Sequence, residues 1–189
     1  MQNKLLLTSA ATLLMTGCAL SPQIINIDTA NSAQVDSVVE GRSALVRVRD
    51  ERSSEYLGHR GGLKPQQSLL VAEPDLSIAL TQKVQATLEA FGFGGNNQSE
   101  AVKLEVVIKA FDYHCNQGIV VNSCGLDMEF QLNIQNYQQI FSKPYALSEE
   151  RSVVVSPQVA YNQQWINEGI DTLWQTMFSD EQVVELLSQ

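Results

Sequence analysis

Apolar and polar residues alternate most regularly in two stretches near the middle of the chain. Apolar side chains occupy every second position over residues 102–110 and again over residues 126–135. This alternation predicts strands that bury one face and wet the other, as in an antiparallel sheet covered on one side only. Shorter patterns predict strands over residues 44–49 and 68–72.

A further strand is expected over residues 138–153. Pro144 lacks an N–H donor, so this strand should lie at a sheet edge or contain a bulge. Residues 24–27 could add one more short strand.

A helix is predicted where apolar residues recur at helical spacing after residue 75. Asp75 is the expected N-cap, because its carboxylate can accept hydrogen bonds from backbone N–H groups of the first turn. Gly92 is the expected glycine just beyond the helix end. The residues predicted to form the apolar stripe are Leu76, Leu80, Val84, Leu88 and Phe91.

A second, longer helix is predicted from Pro157, with Ser156 as its N-cap. Ser179 and Gln182 have the spacing of a capping box and predict a short final helix. The apolar stripe expected on the long helix consists of Val159, Ile166, Ile170, Leu173 and Met177.

The predicted order of elements is β-β-α-β-β-β-α. It indicates an α+β fold of two layers, with a mainly antiparallel sheet and helices packed on one face. A length of 189 residues favours one domain, and an apolar fraction of 44% with 17% charged residues is typical of globular proteins.

The first residues carry the features of an export signal. Lys4 is followed by an apolar run over residues 5–15, which is too short to span a bilayer and suits a signal peptide. The sequence Leu14-Met15-Thr16-Gly17-Cys18 resembles a lipobox, the site at which lipoprotein signal peptidase cleaves before an acylated cysteine. An ordinary signal peptide with Cys18 incidental is the alternative.

These features predict three segments. Residues 1–17 are a lipoprotein signal peptide, residues 18–42 are the acylated cysteine and a polar tether, and residues 43–189 form a single α+β domain. Two or three acyl chains on Cys18 would give a stable anchor. Since Ala19 rather than Asp follows the cysteine, the expected location is the outer membrane, facing the periplasm.

Charge argues against nucleic acid as a partner, since the formal net charge is −9. Positive side chains do cluster after the first strand, at Arg47, Arg49, Arg52, Arg60 and Lys64. They are either a solvated surface with local ion pairs or a patch for anionic groups.

Cys115 and Cys124 are expected to form a disulfide in the oxidising periplasm. Regular alternation on both flanking strands would place Cys115 outward and Cys124 inward, so either a bulge at Gly118 or Gly125 or an irregular loop is needed to pair them. His114 with both cysteines could instead offer three metal ligands, but the sequence provides no fourth and no metal or cofactor is expected.

No catalytic constellation is evident. His59 lies in Leu57-Gly58-His59-Arg60-Gly61-Gly62, which reads as a glycine-rich turn, and no serine has a nucleophile-elbow context. Trp165 lies off the apolar stripe of its helix and could be an exposed contact residue, whereas Trp174 is expected to pack on the sheet. We therefore expect a protein that is not an enzyme.

Several short motifs resemble the YajG-type lipoproteins of Gram-negative bacteria. They are the lipobox at Cys18, Asp50-Glu51-Arg52 with Leu57-Gly58 after the first predicted strand, and the Asp75-Leu76 helix start ending at Gly92-Phe93. The resemblance covers nearly the whole mature chain and implies an envelope lipoprotein without an established activity. Asp50 and Arg52 transfer only as motif positions, and Cys115 and Cys124 are not part of the pattern.

The expected function is that of a membrane-anchored, non-catalytic binding or adaptor module with an envelope protein as partner. Its candidate contact residues are Asp50, Arg52, Arg60 and Trp165. The alternative is a carrier or sensor of a small envelope ligand, such as a lipid or a cell-wall fragment, which would need a pocket between helix and sheet.

Overall fold

A computed structural model describes residues 21–35, 39–62, 64–97, 101–116, 118, 121–154 and 156–189. The predicted signal peptide and Cys18 lie outside the described residues.

The described residues form a seven-stranded mixed sheet with three α-helices, which confirms the α+β class. The elements are β1 (Gln23–Asn26), β2 (Ala44–Asp50), β3 (Gly58–His59), β4 (Leu69–Glu73), α1 (Leu76–Ala90), β5 (Val102–Asn116), β6 (Asn122–Asn136), β7 (Gln139–Val153), α2 (Val159–Phe178) and α3 (Glu181–Ser188).

Three long strands dominate the sheet. β5, β6 and β7 each have 15 residues and pair antiparallel in sequence order. β5 pairs in parallel with β2 along one part of its length and with β3 along another. On its other side β3 pairs with β4, and β4 pairs with β1. β7 ends this order, so Pro144 lies in an edge strand as expected, where its missing N–H costs no ladder bond inside the sheet.

β5 extends further than the alternation indicated, because a bulge in β5 changes the phase of the pattern. The register with β6 shifts between Ile108 and Ala110, so one extra residue, Lys109, enters β5. Even-numbered side chains face the core up to Ile108, and odd-numbered ones do so from Phe111 onward. Because the alternation of apolar and polar residues changes phase within β5, the sequence pattern alone indicates that the strand ends near residue 110.

The helices cover one face of the sheet. The predicted stripe of α1 is buried throughout, and Asp75 caps α1 by accepting from the Ser77 backbone N–H at 2.9 Å. Gly92 has a φ of 89°, a conformation that favours glycine, and lies just beyond the helix end as expected.

The caps predicted for the last two helices were wrong. α2 begins after Gln158 rather than Ser156, and Val159 is 41% exposed instead of facing the sheet. The N-cap of α3 is Asp180, whose carboxylate accepts from the Gln182 backbone N–H at 3.0 Å, and not Ser179. In both cases the helix starts later than the nearest serine signal.

The segment predicted as a tether is part of the fold from residue 23 onward, so the predicted domain start at residue 43 was wrong. β1 pairs in parallel with β4, and Ile25 and Ile27 are buried in the core. The following loop docks on the helices, where the ammonium of Lys83 donates to the Ala30 carbonyl at 2.6 Å and lies 2.8 Å from a carboxylate oxygen of Asp171. The short strand considered for residues 24–27 is present as β1, although the polar composition around it favoured a tether.

Candidate functional site

The sheet surface opposite the helices is the candidate binding surface, and we call it the uncovered face. Among the described residues no helix packs on it. Strand register arranges its side chains in rows that run across β2, β5, β6 and β7. One row is Leu45, Lys103, Gln135 and Ile140, and the next is Arg47, Glu105, Asn133 and Ser142.

A shallow cleft of about 410 Å³ opens on these two rows. Two apolar side chains stand on its opposite sides, Leu45 on β2 and Ile140 on β7, and Ile140 is 80% exposed. Between them lie Lys103 and Gln135, whose side chains hydrogen-bond at 3.5 Å.

The charged groups beside the cleft form a shared network. Glu105 lies 3.6 Å from Arg47 and 3.4 Å from Arg49, and also accepts from the Asn133 amide at 3.0 Å. Glu51 pairs with both Arg49 and Lys109. Since cations outnumber carboxylates here, this part of the surface is locally positive in a chain whose formal net charge is −9.

Asp50 and Arg52, the motif residues, contact each other and the loop that follows β2. The Arg52 guanidinium donates from Nη2 to Asp50 at 2.7 Å and from Nη1 to the Tyr56 carbonyl at 3.1 Å. It also lies 5.9 Å from the centre of the Phe111 ring, and its side chain is only 4% exposed. This geometry fixes the loop and leaves little of Arg52 for a ligand.

The motif Leu57-Gly58 has a clear steric reason. Gly58 has a φ of 132°, and a Cβ on it would lie 1.9 Å from the Tyr113 carbonyl oxygen. Leu57 is fully buried beside it. Only glycine allows β3 to approach β5 this closely, so the motif serves the sheet.

Arg60 is buried and does not lie on the uncovered face. Its Nη2 donates to the Ser21 carbonyl, and its Nε has no hydrogen-bond partner among the described residues. Burial lowers the pKa of its guanidinium. The predicted cluster of positive residues is therefore divided, with Arg60 at another end of the molecule from Arg47 and Arg49.

The alternative that Trp165 is an exposed contact residue was wrong. Its side chain is fully buried, its indole N–H donates to Glu149 at 2.7 Å, and Arg151 lies 4.6 Å from the ring centre. α2 is buried over a wider arc than its aliphatic stripe, because the polar residue Asn162 and the close-packed Gly169 also face the core. Trp165 thus attaches α2 to β7.

Cys115 and Cys124 form a disulfide between directly opposed positions of β5 and β6. Both cysteines are buried. The phase change needed to pair them comes from the bulge at Lys109, not from Gly118 or Gly125, so the predicted position of the bulge was wrong. By the loop-closure argument a crosslink this short contributes ~2–3 kcal/mol.

The described residues hold no group of three or more His, Cys, Asp or Glu side chains placed to bind a metal ion. His114 lies 3.2 Å from Asp112. Cys115 and Cys124 are bonded to each other in the disulfide, so their sulfurs are not free thiolates that could bind a metal together with His114. Within the same residues no helix is both long and apolar enough to cross a membrane.

Comparison with known proteins decides the family. The pattern of a family described as uncharacterized lipoproteins, Lipoprotein_16, matches residues 29–188. The chain belongs to this lipoprotein family. The resemblance to YajG-type lipoproteins is thereby confirmed. Comparison with curated proteins finds no match.

Two solved structures are similar to this Lipoprotein_16 member at low identity. A Xanthomonas campestris protein of the DUF330 family is 11% identical, with 88% of this chain and 96% of that chain covered and a TM-score of 0.52. A neuraminyllactose-binding hemagglutinin homolog from Helicobacter pylori is 10% identical, with 87% and 97% covered and a TM-score of 0.44. At these identities the first likeness indicates a common fold only.

The residues of the uncovered face were not among the predicted contact residues. Leu45 and Ile140 lie at polar-facing positions of predicted strands, where single apolar residues are common, and Lys103 fits the polar side of its strand. The sequence does contain one indication of this surface, because the apolar residues Leu45 and Ile140 interrupt the alternation of their strands. Their proximity depends on strand register, which the sequence does not specify.

Proposed function

We propose that this lipoprotein is a non-catalytic binding module of the cell envelope, anchored through acylated Cys18 and facing the periplasm from the outer membrane. In this proposal a protein partner docks on the uncovered face of the sheet. The observation that carries it is the cleft of about 410 Å³ between the exposed side chains of Leu45 and Ile140.

The chemistry beside the cleft defines the partner. Leu45 and Ile140 offer apolar contacts, while Arg47 and Lys103 add positive charge that is only partly balanced by Glu105. A complementary partner presents an apolar side chain flanked by carboxylates. Such charge pairs mainly set orientation and association rate, and the apolar anchors supply most of the affinity.

The interior favours a protein partner over a small-ligand carrier. A carrier would hold its ligand between the helices and the sheet, but that layer is filled by large buried side chains, including Trp165, Trp174 and Phe178. A narrower cleft of about 170 Å³ does open between α1 and β2, at the margin of the layer. It is smaller than the usual range for ligand pockets, ~300–1,000 Å³. A larger groove of about 480 Å³ lies between α3 and the edge strand β7, but it is an open groove at the sheet edge with a mostly polar lining, not a pocket inside the layer.

The test is crosslinking from one defined position in cells. A photo-crosslinking phenylalanine analogue in place of Ile140 should give one dominant adduct with an envelope protein. The same analogue in place of Ile78 is the matched control, because Ile78 is also an exposed apolar residue but lies on the outer side of α1.

Second-site changes make the result specific. Leu45→Asp should abolish the adduct from position 140, because it removes one apolar anchor and places a carboxylate where the partner's own carboxylates are expected, while thermal unfolding stays cooperative. Equal adducts from positions 140 and 78, or an adduct that survives both Leu45→Asp and Arg47→Glu, would show that the partner does not use the uncovered face.

A further inference from the structure

The end of the sheet that holds the disulfide is formed by four stretches of chain, which contain one end each of β1, β3, β5, β6 and β7 and the start of α2. β3 and β5 run toward it in parallel, β6 and β7 pair there at Asn122 and Val153, and α2 begins nearby. β1 also starts there, since Gln23 pairs with Leu70. We call this region the hairpin end, and define it by the described residues within 21–23, 59–65, 115–124 and 153–161.

The first described residues are held firmly at the hairpin end. Arg60 donates to the Ser21 carbonyl, and the Asn162 amide donates to the side-chain oxygen of Gln23 at 2.7 Å. Gln23 in turn donates to the Pro157 carbonyl at 3.4 Å. The chain therefore enters the fold at this end.

Little chain separates this entry point from the acylation site. Only two residues lie between Cys18 and Ser21. Three residue steps of fully extended chain span at most ~10 Å, so the hairpin end cannot move farther than that from the acylated residue. With Cys18 anchored in lipid, the hairpin end must lie at the membrane surface.

The composition of the hairpin end suits a lipid surface. The chain has 21 acidic residues, yet none occurs within residues 19–27, 57–72, 113–126 or 152–167. Exposed apolar side chains are present instead: Val154 is 77% exposed, Val121 is 42% exposed and Val159 is 41% exposed. In space the Glu150 carboxylate does reach this end, where it accepts from the Ser123 hydroxyl at 2.6 Å, so the hairpin end is poor in acidic residues rather than free of them.

The charge of the hairpin end is positive. Arg60 has no carboxylate partner among the described residues, and Lys64 is exposed nearby. Because Arg60 is buried, the exposed ammonium of Lys64 is the group that can meet lipid phosphates at a membrane surface.

We propose that the hairpin end rests on the lipid bilayer, with Val121, Val154 and Val159 in contact with the headgroup region. This rests on the proposed lipid anchor at Cys18. This membrane contact would orient the whole molecule. Ile140 lies 14 residues from Val154 along β7, which corresponds to about 45 Å at the rise per residue of a strand. The cleft on the uncovered face is then held away from the membrane, where a periplasmic partner can reach it.

The test uses the full, lipidated protein in vesicles of phosphatidylethanolamine and phosphatidylglycerol. A nitroxide is attached to Val154→Cys in one sample and to Ile140→Cys in a matched one, since both positions are exposed, apolar and on or beside the same strand. The label at 154 should lose accessibility to a water-soluble nickel complex and gain accessibility to oxygen. The label at 140 should show the aqueous pattern.

A charge variant adds a second measurement. With the label at Val121→Cys, Val154→Asp should restore accessibility to the nickel complex, whereas Ile140→Asp should not change it. The acyl chains still hold both variants on the vesicles.

The outcomes separate the contact from the anchor. Protein that floats with the vesicles but gives the aqueous pattern at both labels overturns the membrane contact and leaves the anchor standing. A label at 154 shielded from both agents indicates a second protein copy and also overturns it. Protein that fails to float overturns the anchor and the contact together.

Discussion

A buried polar network at the level of single residues explains why the N-terminal strand stays in the fold. Tyr113 donates its hydroxyl to the Asn162 side chain at 2.7 Å, and Asn162 donates to Gln23 at 2.7 Å. Burial raises the pKa of the Tyr113 hydroxyl, which keeps it neutral and a donor. One asparagine therefore connects β5, α2 and β1, three elements that are distant in sequence.

Replacing Asn162 with leucine should destabilise the protein by ~2–3 kcal/mol. The change removes an acceptor from Tyr113 and a donor from Gln23, and an unsatisfied buried polar group costs ~1–3 kcal/mol. Urea unfolding measures the effect. Gln164→Leu on the same helix is the control, because Gln164 is exposed and its amide bonds only to Glu168, so its expected change stays within ~0.5 kcal/mol.

A double-mutant cycle sharpens this prediction. If Tyr113 and Asn162 act through one hydrogen bond, Tyr113→Phe combined with Asn162→Leu should cost less than the sum of the single changes. Strict additivity would show that the bond between them contributes nothing to stability.

At the level of elements, α1 is the part that its own sequence specifies most completely. Its N-cap, apolar stripe and C-terminal glycine all agree, which is why the prediction from Asp75 to Gly92 was confirmed. A hydrogen bond from Ser77 holds the pKa of the Asp75 carboxyl below its usual value of 3.8. The folded protein thus keeps this carboxylate ionised at lower pH than the unfolded chain does.

Asp75→Ala should cost ~1 kcal/mol at pH 7, the usual contribution of an N-cap. Because the pKa is lowered in the folded state, the ionised form's contribution is complete above pH 3.8 and declines as pH falls below it. The gap between wild type and variant in urea unfolding should therefore be smaller at pH 3 than at pH 7. Gln82→Ala, an exposed mid-helix change, should show no such dependence, and a gap that widens at pH 3 would refute the assignment.

Strand boundaries were less predictable than α1 because they depend on partners. The bulge at Lys109 changes which side chains of β5 face the core, and its position is set by pairing with β6, which no local pattern encodes. The two-residue strand β3 depends on the absence of a Cβ at Gly58, again a tertiary constraint. Trp165 was misjudged for a similar reason, since its burial requires the partner Glu149 on β7.

At the scale of the whole molecule, the N-terminal segment has two roles that its composition conceals. It adds β1 beside β4, and it delivers the chain to the hairpin end within a few residues of Cys18. If Cys18 carries the proposed lipid anchor, a short link fixes which end of the domain faces the lipid, whereas a long polar tether would not. The parallel pairing of β1 with β4 joins residues far apart in sequence, and alternation within each strand does not reveal it.

Two neighbouring isoleucines in β1 test whether this segment belongs to the fold. Ile25 is fully buried and Ile24 is 54% exposed, although both lie in the same four-residue strand. Ile25→Ala should destabilise the protein by ~2–4 kcal/mol, as large-to-small changes in a core do. Ile24→Ala should change it by ~0.5 kcal/mol or less, as an exposed substitution does. Thermal or urea unfolding of the chain from residue 19 onward measures both. If the segment were a tether, neither substitution would change the free energy of unfolding. Equal and negligible effects would therefore show that β1 is part of a flexible linker. The short link between Cys18 and the domain would then no longer hold the hairpin end at the membrane.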